Sequence, residues 1–274
     1  MILRWAGGKR WLFPEIQHLI PEKINFYAEP FVGGGAIFFR TSNIKRGIIS
    51  DINSHLISFY KFLKNNPDEL HDKVASLISD HTEEKYYERR SVFNESGCPA
   101  LFMYLNRTCF NGIYRENQKG QFNVPIGFRN NPTNKRQLNR YHFTKDEIRS
   151  FSMKLRNISI KSNDFEEVIL GVPDGSFVYI DPPYVDTHVD KIKKETFRSY
   201  NANQFNDNDF IRLHEAISSR RNTCKFIISN FSEPLVKEFF STASGWNHLP
   251  IDKFSRISGH TKGRKLSKEI VIYN

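Results

Sequence analysis

With 274 residues, 39% hydrophobic and 14% aromatic, the chain can bury a sizeable core, and its 24 phenylalanines argue against a disordered polymer. Three widely spaced cysteines (Cys98, Cys109, Cys224) and nine scattered histidines offer neither a disulfide framework nor ligand spacing, so free thiols and no metal are expected. The formal charge of +10 is concentrated, with nine Lys/Arg against two acids in residues 128–161 and six Lys/Arg with no acid in residues 253–268, which favours a polyanionic partner.

No apolar run approaches the length of a membrane span, and the opening "MILRWAGGKRW" has no stretch suited to export. A soluble cytoplasmic protein is therefore expected. Within that opening, "RWAGGKR" sets Trp5, a glycine pair and basic side chains ahead of the first strand; read by itself it is a turn packed by the indole. The first strand, "FYAEPF" (26–31), runs directly into Gly33, Gly34 and Gly35 and then an apolar run. Glycines at a strand-to-helix turn let a ligand approach the backbone closely. A second strand, "GIIS" (47–50), ends in Asp51, 16 positions after Gly35. In doubly wound folds an acid there accepts hydrogen bonds from ribose hydroxyls. Together these features point to a nucleoside cofactor, without separating a dinucleotide from S-adenosyl-L-methionine.

More than 100 residues then pass before the next sheet strand, "ISIK" (158–161). A crossover needs only about 30. The surplus predicts an inserted, mainly helical domain over 56–157, with the catalytic domain made of 1–55 and 158–274. Further strands are expected at "FVYI" (177–180), "FIIS" (226–229) and "EIVIY" (269–273). Between them, Phe210, Leu213, His214 and Ile217 share one helical face, with Asn206 or Asp207 able to cap its start. Strands alternating with helices predict a parallel α/β sheet.

The strand at 177–180 ends in Asp181-Pro182-Pro183-Tyr184. An exocyclic amine on a base is a poor nucleophile, because its lone pair is delocalised into the ring. A carboxylate and a backbone carbonyl that accept its N–H hydrogens favour a pyramidal nitrogen with an available lone pair. Two prolines fix such a carbonyl in place, and a tyrosine ring offers a stacking face for a base turned out of its duplex. The bland alternative is a proline-stiffened strand end.

Phe31-x-Gly33-x-Gly35, then Asp51, a long insertion and Asp181-Pro182-Pro183-Tyr184 follow the motif order of amino-methyltransferases that act on adenine N6 in DNA. "RWAGGK" and "NRTCFNGIYRxNxKGxFNVPIG" look like the Dam-type branch of that family, which includes maintenance and restriction-modification enzymes. The likeness runs from residue 4 to the C-terminal "KLSKEIVIYN". It implies a Rossmann-like S-adenosyl-L-methionine-dependent sheet, with S-adenosyl-L-homocysteine as product and double-stranded DNA as partner. By position, Trp5, Lys9, Phe31, Gly33, Gly35, Asp51, Asp164, Phe165 and Asp181 resemble cofactor contacts, with Asp51 on the ribose and Phe165 against the adenine. Asp181 and the Pro182 carbonyl would hold the target amine, and Tyr184 would stack on the flipped base. The basic stretch "RISGHTKGRKLSK" resembles the family's DNA-contacting loop. A monomer in a bacterial or phage-infected cytoplasm, associated with the nucleoid, is the corresponding expectation.

In the insertion, Phe110 and Asn111 match positions that fill the space left by an extruded base. Ile113, Arg115 and Pro125 match positions that read base edges, and Asn123 and Arg129 match further DNA contacts. Arg115 suits a guanine, whose O6 and N7 a guanidinium can bond together; Arg4 matches a second guanine reader. Two such arginines fit a palindrome with outer G·C pairs, GATC first. Where Dam-type enzymes often carry "VPFGRY", this chain has "VPIGFRNN", and parts of the insertion look as close to enzymes reading longer sites such as GATATC. A partner endonuclease on the same site is open. Rival readings explain less: a dehydrogenase needs a full G-x-G-x-x-G, a non-catalytic DNA binder needs neither Asp51 nor Asp181, and RNA or glutamine methylation often has Asn in place of Asp181.

Overall fold

All six strands expected from the sequence form, and a seventh joins them. In the computed structural model, which describes residues 1–127, 143–183, 205–231, 233–254 and 266–274, the strands are β1 (Tyr27–Glu29), β2 (Gly47–Ser50), β3 (Ile158–Lys161), β4 (Phe177–Ile180), β5 (Lys225–Phe231), β6 (Asn247–Phe254) and β7 (Leu266–Tyr273). Their hydrogen-bonded order is β3-β2-β1-β4-β5-β7-β6. The sheet is mixed: β1, β4 and β5 pair in parallel, whereas β7 pairs antiparallel with both β5 and β6. The unexpected strand, β6, carries Pro250 and pairs with β7 alone; an edge strand tolerates the missing donor.

Nine helices are described: α1 (Phe13–Ile16), α2 (Ser54–Asn65), α3 (Pro67–Ser79), α4 (Glu83–Ser96), α5 (Pro99–Thr108), α6 (Lys145–Leu155), α7 (Phe165–Gly171), α8 (Asp207–Arg220) and α9 (Glu233–Phe239). The chain forms two compact units, one made of Met1–Phe13, Val32–Ser42 and Ile49–Ser162, the other of Pro14–Phe31, Asn43–Ile48 and Asn163–Asn274.

In the first unit, Asn53 caps α2 by accepting the Leu56 N–H at 2.9 Å, and Thr144 and Glu147 form a capping box on α6. Pro67 and Pro99 open α3 and α5, where a missing N–H costs nothing. Residues Ala100–Thr108 of α5 are all buried, so α2, α3 and α4 pack around it as the central rod. Ser50 Oγ donates to the Lys161 carbonyl and Lys64 Nζ to the Ile158 carbonyl, fixing β3 at both ends.

In the second unit, Val178, Ile180, Phe226, Ile228 and Ile272 from the sheet meet Phe210, Leu213 and Ile217 of α8. Each such large side chain contributes roughly 1.5–3 kcal/mol on burial. The α8 cap is Asn206, which accepts from Asn208 and Asp209 while Asp209 returns a bond to the Asn206 N–H. His214, expected on the apolar face, is half-buried and bonds the Phe239 carbonyl at 3.0 Å. All three cysteines are free; Cys109 and Cys224 are buried, whereas Cys98 is only partly covered.

Candidate active site and recognition hairpin

In the first unit Trp5, Gly33, Gly35 and Asp51, four of the residues expected at the cofactor, form one cluster around the glycine loop. Val32 N–H bonds the Ser50 carbonyl at 2.9 Å, and Gly35 N–H closes a turn onto Val32 at 2.7 Å. Gly33 (φ 45°) and Gly35 (φ 65°) adopt the left-handed backbone. A Cβ on Gly33 would lie 2.8 Å from the Trp5 ring, and one on Gly35 would lie 2.8 Å from Phe39. Trp5 therefore lies directly on the loop, and stacks on Tyr114 at 5.6 Å and 18°. Asp51 accepts the Gly33 N–H through Oδ2 and the Asn53 N–H through Oδ1, each at 3.0 Å. Burial pushes the Asp51 carboxyl up from its ordinary value, while the two backbone donors pull it down. Tyr60 Oη donates to the Gly33 carbonyl at 2.8 Å, a buried support that the sequence pattern did not single out. Lys9 is 2% exposed, an unusual burial for a lysine outside a site.

In the second unit, Phe31 and Phe165 stack at 5.4 Å and 25°, and Phe205 contacts both. Asp164 caps α7 by accepting the Glu166 N–H at 2.9 Å. Arg212, absent from the sequence reading, bonds Asp164 and Glu166 at 2.7 Å each and lays its guanidinium 4.9 Å from the Phe165 ring centre. These anionic partners raise its pKa further. Asp181, half-buried, and the buried Pro182 follow β4 directly, with Pro183 exposed. Ser229 Oγ donates to Asp181 Oδ1 at 3.1 Å, a second contact that sequence reasoning missed. Tyr184 and Arg129, the segment after Tyr184 and the basic loop at 255–265 lie outside the described residues.

The recognition candidates come together on one hairpin of the first unit. Bridges join Cys109 to Ile126 and Glu116 to Phe122, and the tip closes from Asn117 to Gln121. Phe110, Asn111, Ile113 and Arg115 are exposed on its first arm, and Asn123 and Pro125 lie on its second. Asn111 has φ 55°, which turns the chain sharply there. Arg115 Nε donates to Asn123 Oδ1 at 2.8 Å. Arg4 joins the same structure: its backbone exchanges two bonds with the Asn106 amide, at 2.9 and 2.7 Å, and a Cβ on Gly112 would lie 2.4 Å from its side chain. Gly112 is thus the residue that admits Arg4.

Behind the hairpin, α4 presents Tyr86, Arg90 and Asn94 at four-residue spacing, one helical face. Tyr86 donates to the Val124 carbonyl, Arg90 to those of Asn123 and Val124, and Asn94 exchanges two bonds with the Phe122 backbone. The spacing was visible in the sequence, but not what those side chains bind. Among the described residues no three His, Cys, Asp or Glu side chains gather as for a metal, and no helix is long and apolar enough to cross a membrane.

Comparison with known proteins agrees with this arrangement. Residues 5–257 match the family described as D12 class N6 adenine-specific DNA methyltransferase. The type II methyltransferase M1.LlaDCHI of Lactococcus lactis subsp. cremoris is 38% identical over 282 residues, covering 99% of this chain and 94% of the relative. The type II methyltransferase M.MjaIII of Methanocaldococcus jannaschii is 40% identical over 77% of this chain and 76% of its own. The DNA adenine methylase of Escherichia coli (strain K12) is 34% identical over 88% of this chain and 84% of its own. By motif order, fold and these matches, the chain belongs to the D12 class of N6 adenine-specific DNA methyltransferases.

Proposed function

We propose that the protein transfers a methyl group from S-adenosyl-L-methionine to N6 of an adenine flipped out of duplex DNA, within GATC. The observation that carries the chemistry is the position of Asp181 and Pro182 at the carboxyl end of β4, between parallel neighbours, where sheets of this kind place their reacting groups. When bound, S-adenosyl-L-methionine supplies an electrophilic methyl on a sulfonium and leaves as S-adenosyl-L-homocysteine. A glycine loop whose Cβ positions are already occupied by aromatic rings, beside a half-buried acid, fits such a nucleoside ligand. By motif position, Trp5, Lys9, Phe31, Gly33, Gly35, Asp51, Asp164, Phe165 and Asp181 are the residues assigned to it.

Asp181 and the Pro182 carbonyl accept the two N–H hydrogens of the adenine amine, which localises the nitrogen lone pair. Tyr184 stacks on the extruded ring, and the surplus proton of the methylated nitrogen passes to water. Orientation carries much of the rate. Arg115 and Arg4 read the guanines, Ile113 and Pro125 face base edges, Phe110 and Asn111 occupy the vacated stack, and Asn123 and Arg129 complete the DNA contacts. The departure "VPIGFRNN" favours a second reading, a longer site such as GATATC. The names of the type II relatives support membership of a restriction-modification pair; a monomer acting on DNA in the cytoplasm completes the proposed reading.

Methylation-aware sequencing of DNA from cells expressing the protein tests base and site together: modified adenine in every GATC is expected, and modification confined to a longer motif selects the second reading. Asp181→Ala should abolish incorporation of labelled methyl while duplex binding survives; normal incorporation by that variant sinks the catalytic assignment.

A further inference from the structure

Tyr179 and Asp181 stand two residues apart at the end of β4, so strand alternation puts both side chains on one face of the sheet. The parallel register sets Tyr179 opposite Ile227 and Ile180 opposite Ile228, and continuing it brings Ser229 opposite Asp181. The distances agree with that register. Ser229 Oγ lies 3.1 Å from Asp181 Oδ1 and 3.0 Å from Tyr179 Oη. A serine hydroxyl carries one proton. Here that proton is directed at the carboxylate, so Tyr179 must be the donor to Ser229.

Both hydroxyls are enclosed, Tyr179 at 1% and Ser229 at 0% exposure, whereas Asp181 stands half-buried. Burial first, and then the charge of Asp181, hold the Tyr179 phenol well above its ordinary range, which keeps its proton in place. Among the described residues, Glu29 on β1, which accepts from Tyr27 Oη at 2.6 Å, and Glu269 on β7 also act on Tyr179, and the Tyr27 phenol interacts with it as well. Both acids add to the same effect.

We propose that Tyr179 and Ser229 are positioning residues for methyl transfer: a directed hydroxyl relay, Tyr179 to Ser229 to Asp181, that fixes the carboxylate plane and holds it as an acceptor for the adenine amine. The last torsion of an aspartate is broad, so a carboxylate tethered only through its own chain swings about that bond. A donor anchored from below at Oδ1 restricts the swing, and a hydrogen bond to a carboxylate favours its ionised, accepting form. This relay rests on the assignment of Asp181 to the target amine.

The test measures single-turnover transfer of labelled methyl from S-adenosyl-L-methionine to bacterial DNA lacking adenine methylation, with the KM for that DNA alongside. Ser229→Ala should slow transfer about 10-fold or more with KM unchanged within about twofold, as expected for loss of a bond to a charged group. Ser229→Thr, which keeps the hydroxyl, should recover most of the rate, and Tyr179→Phe should give a smaller loss than Ser229→Ala. The double variant Tyr179→Phe/Ser229→Ala should be no slower than Ser229→Ala alone, because the tyrosine acts only through the serine. Wild-type rates for Ser229→Ala and Tyr179→Phe beside an inactive Asp181→Ala overturn the relay and leave Asp181 in its role. Multiplying losses in the double variant also overturn it. An active Asp181→Ala instead overturns the assignment beneath it. If Ser229→Ala fails to fold, Tyr179→Phe and Ser229→Thr decide: a Tyr179→Phe rate equal to wild type overturns the relay.

Discussion

The Asp51 carboxylate accepts the backbone N–H of Gly33 at 3.0 Å, so the acid that ends β2 also holds the turn of the glycine loop. Its other oxygen takes the Asn53 N–H, which fixes the entry to α2. Burial raises the Asp51 pKa above 3.8 despite both bonds. A carboxyl whose folded-state pKa is raised binds its proton more tightly when folded. Its favourable contribution is therefore present below the unfolded pKa and is lost as pH rises through the folded one. Asp51→Asn keeps the shape and one acceptor but removes that titration, so its stability should fall less than the wild type's as pH climbs. Thermal melts from about pH 4 to about pH 8 check this, and identical slopes would refute the burial account. The same substitution should weaken S-adenosyl-L-methionine binding about 10-fold, as for loss of a charge-assisted bond to a ribose hydroxyl.

Arg115 is held at Nε by Asn123, which leaves the outer nitrogens of its fork directed away from that bond. Arg115→Ala should relax discrimination at one guanine by about 1–3 kcal/mol. Asn123→Ala keeps the guanidinium but frees its orientation, so the same position should relax by a smaller amount. Methylation rates on duplexes substituted at each base pair measure both. A uniform loss across all duplexes would make Arg115 a phosphate contact instead.

Much of this architecture was legible because it is local. The strands carry buried aliphatic runs, Asn206, one of the two residues expected to start α8, does cap it, and the glycines expected at the turn after β1 adopt positive φ at Gly33 and Gly35. What stayed hidden depends on pairings distant in sequence. Pro250 disguised β6, because an edge position is a property of the sheet and not of the segment. Ser229 looks like any strand serine until the register sets it against Asp181, 48 residues earlier. Arg212 reads as one cation on an amphipathic helix, yet it joins Asp164, Glu166 and Phe165.

That last junction carries its own prediction. Arg212 is 39% exposed, so its ion pairs contribute little to global stability, about 0–1 kcal/mol after screening. Its effect should instead be on the Asp164-Phe165 pair, which it clamps by charge on one residue and by cation–π contact on the other. Arg212→Ala should raise the KM for S-adenosyl-L-methionine several-fold with the melting temperature nearly unchanged, and Arg212→Lys should recover only part, lacking the planar fork. Melting curves and initial rates at varied cofactor separate the two effects. A KM equal to wild type would leave Arg212 as a surface ion pair only.

Asn94 bonds the Phe122 backbone twice, accepting its N–H at 2.8 Å and donating to its carbonyl at 3.2 Å. Phe122 is 3% exposed and meets Phe93 edge-on at 6.1 Å, so water has little access to the groups that a shorter side chain would abandon. Leaving a buried polar group unpaired costs about 1–3 kcal/mol. Asn94→Ala should therefore loosen the second arm of the hairpin locally, while Tyr86 and Arg90 still hold Val124. Amide exchange should accelerate at Phe122 and its neighbours more than in α5, whose bonds lie within the helix. Asn94→Asp keeps the acceptor and loses the donor, and should fall between. Because Asn123 lies on the loosened arm, discrimination against single-base substitutions should drop in the same order, with less change in the rate on the preferred duplex. Unchanged exchange at Phe122 in Asn94→Ala would mean that α4 merely packs against the hairpin and does not set its register.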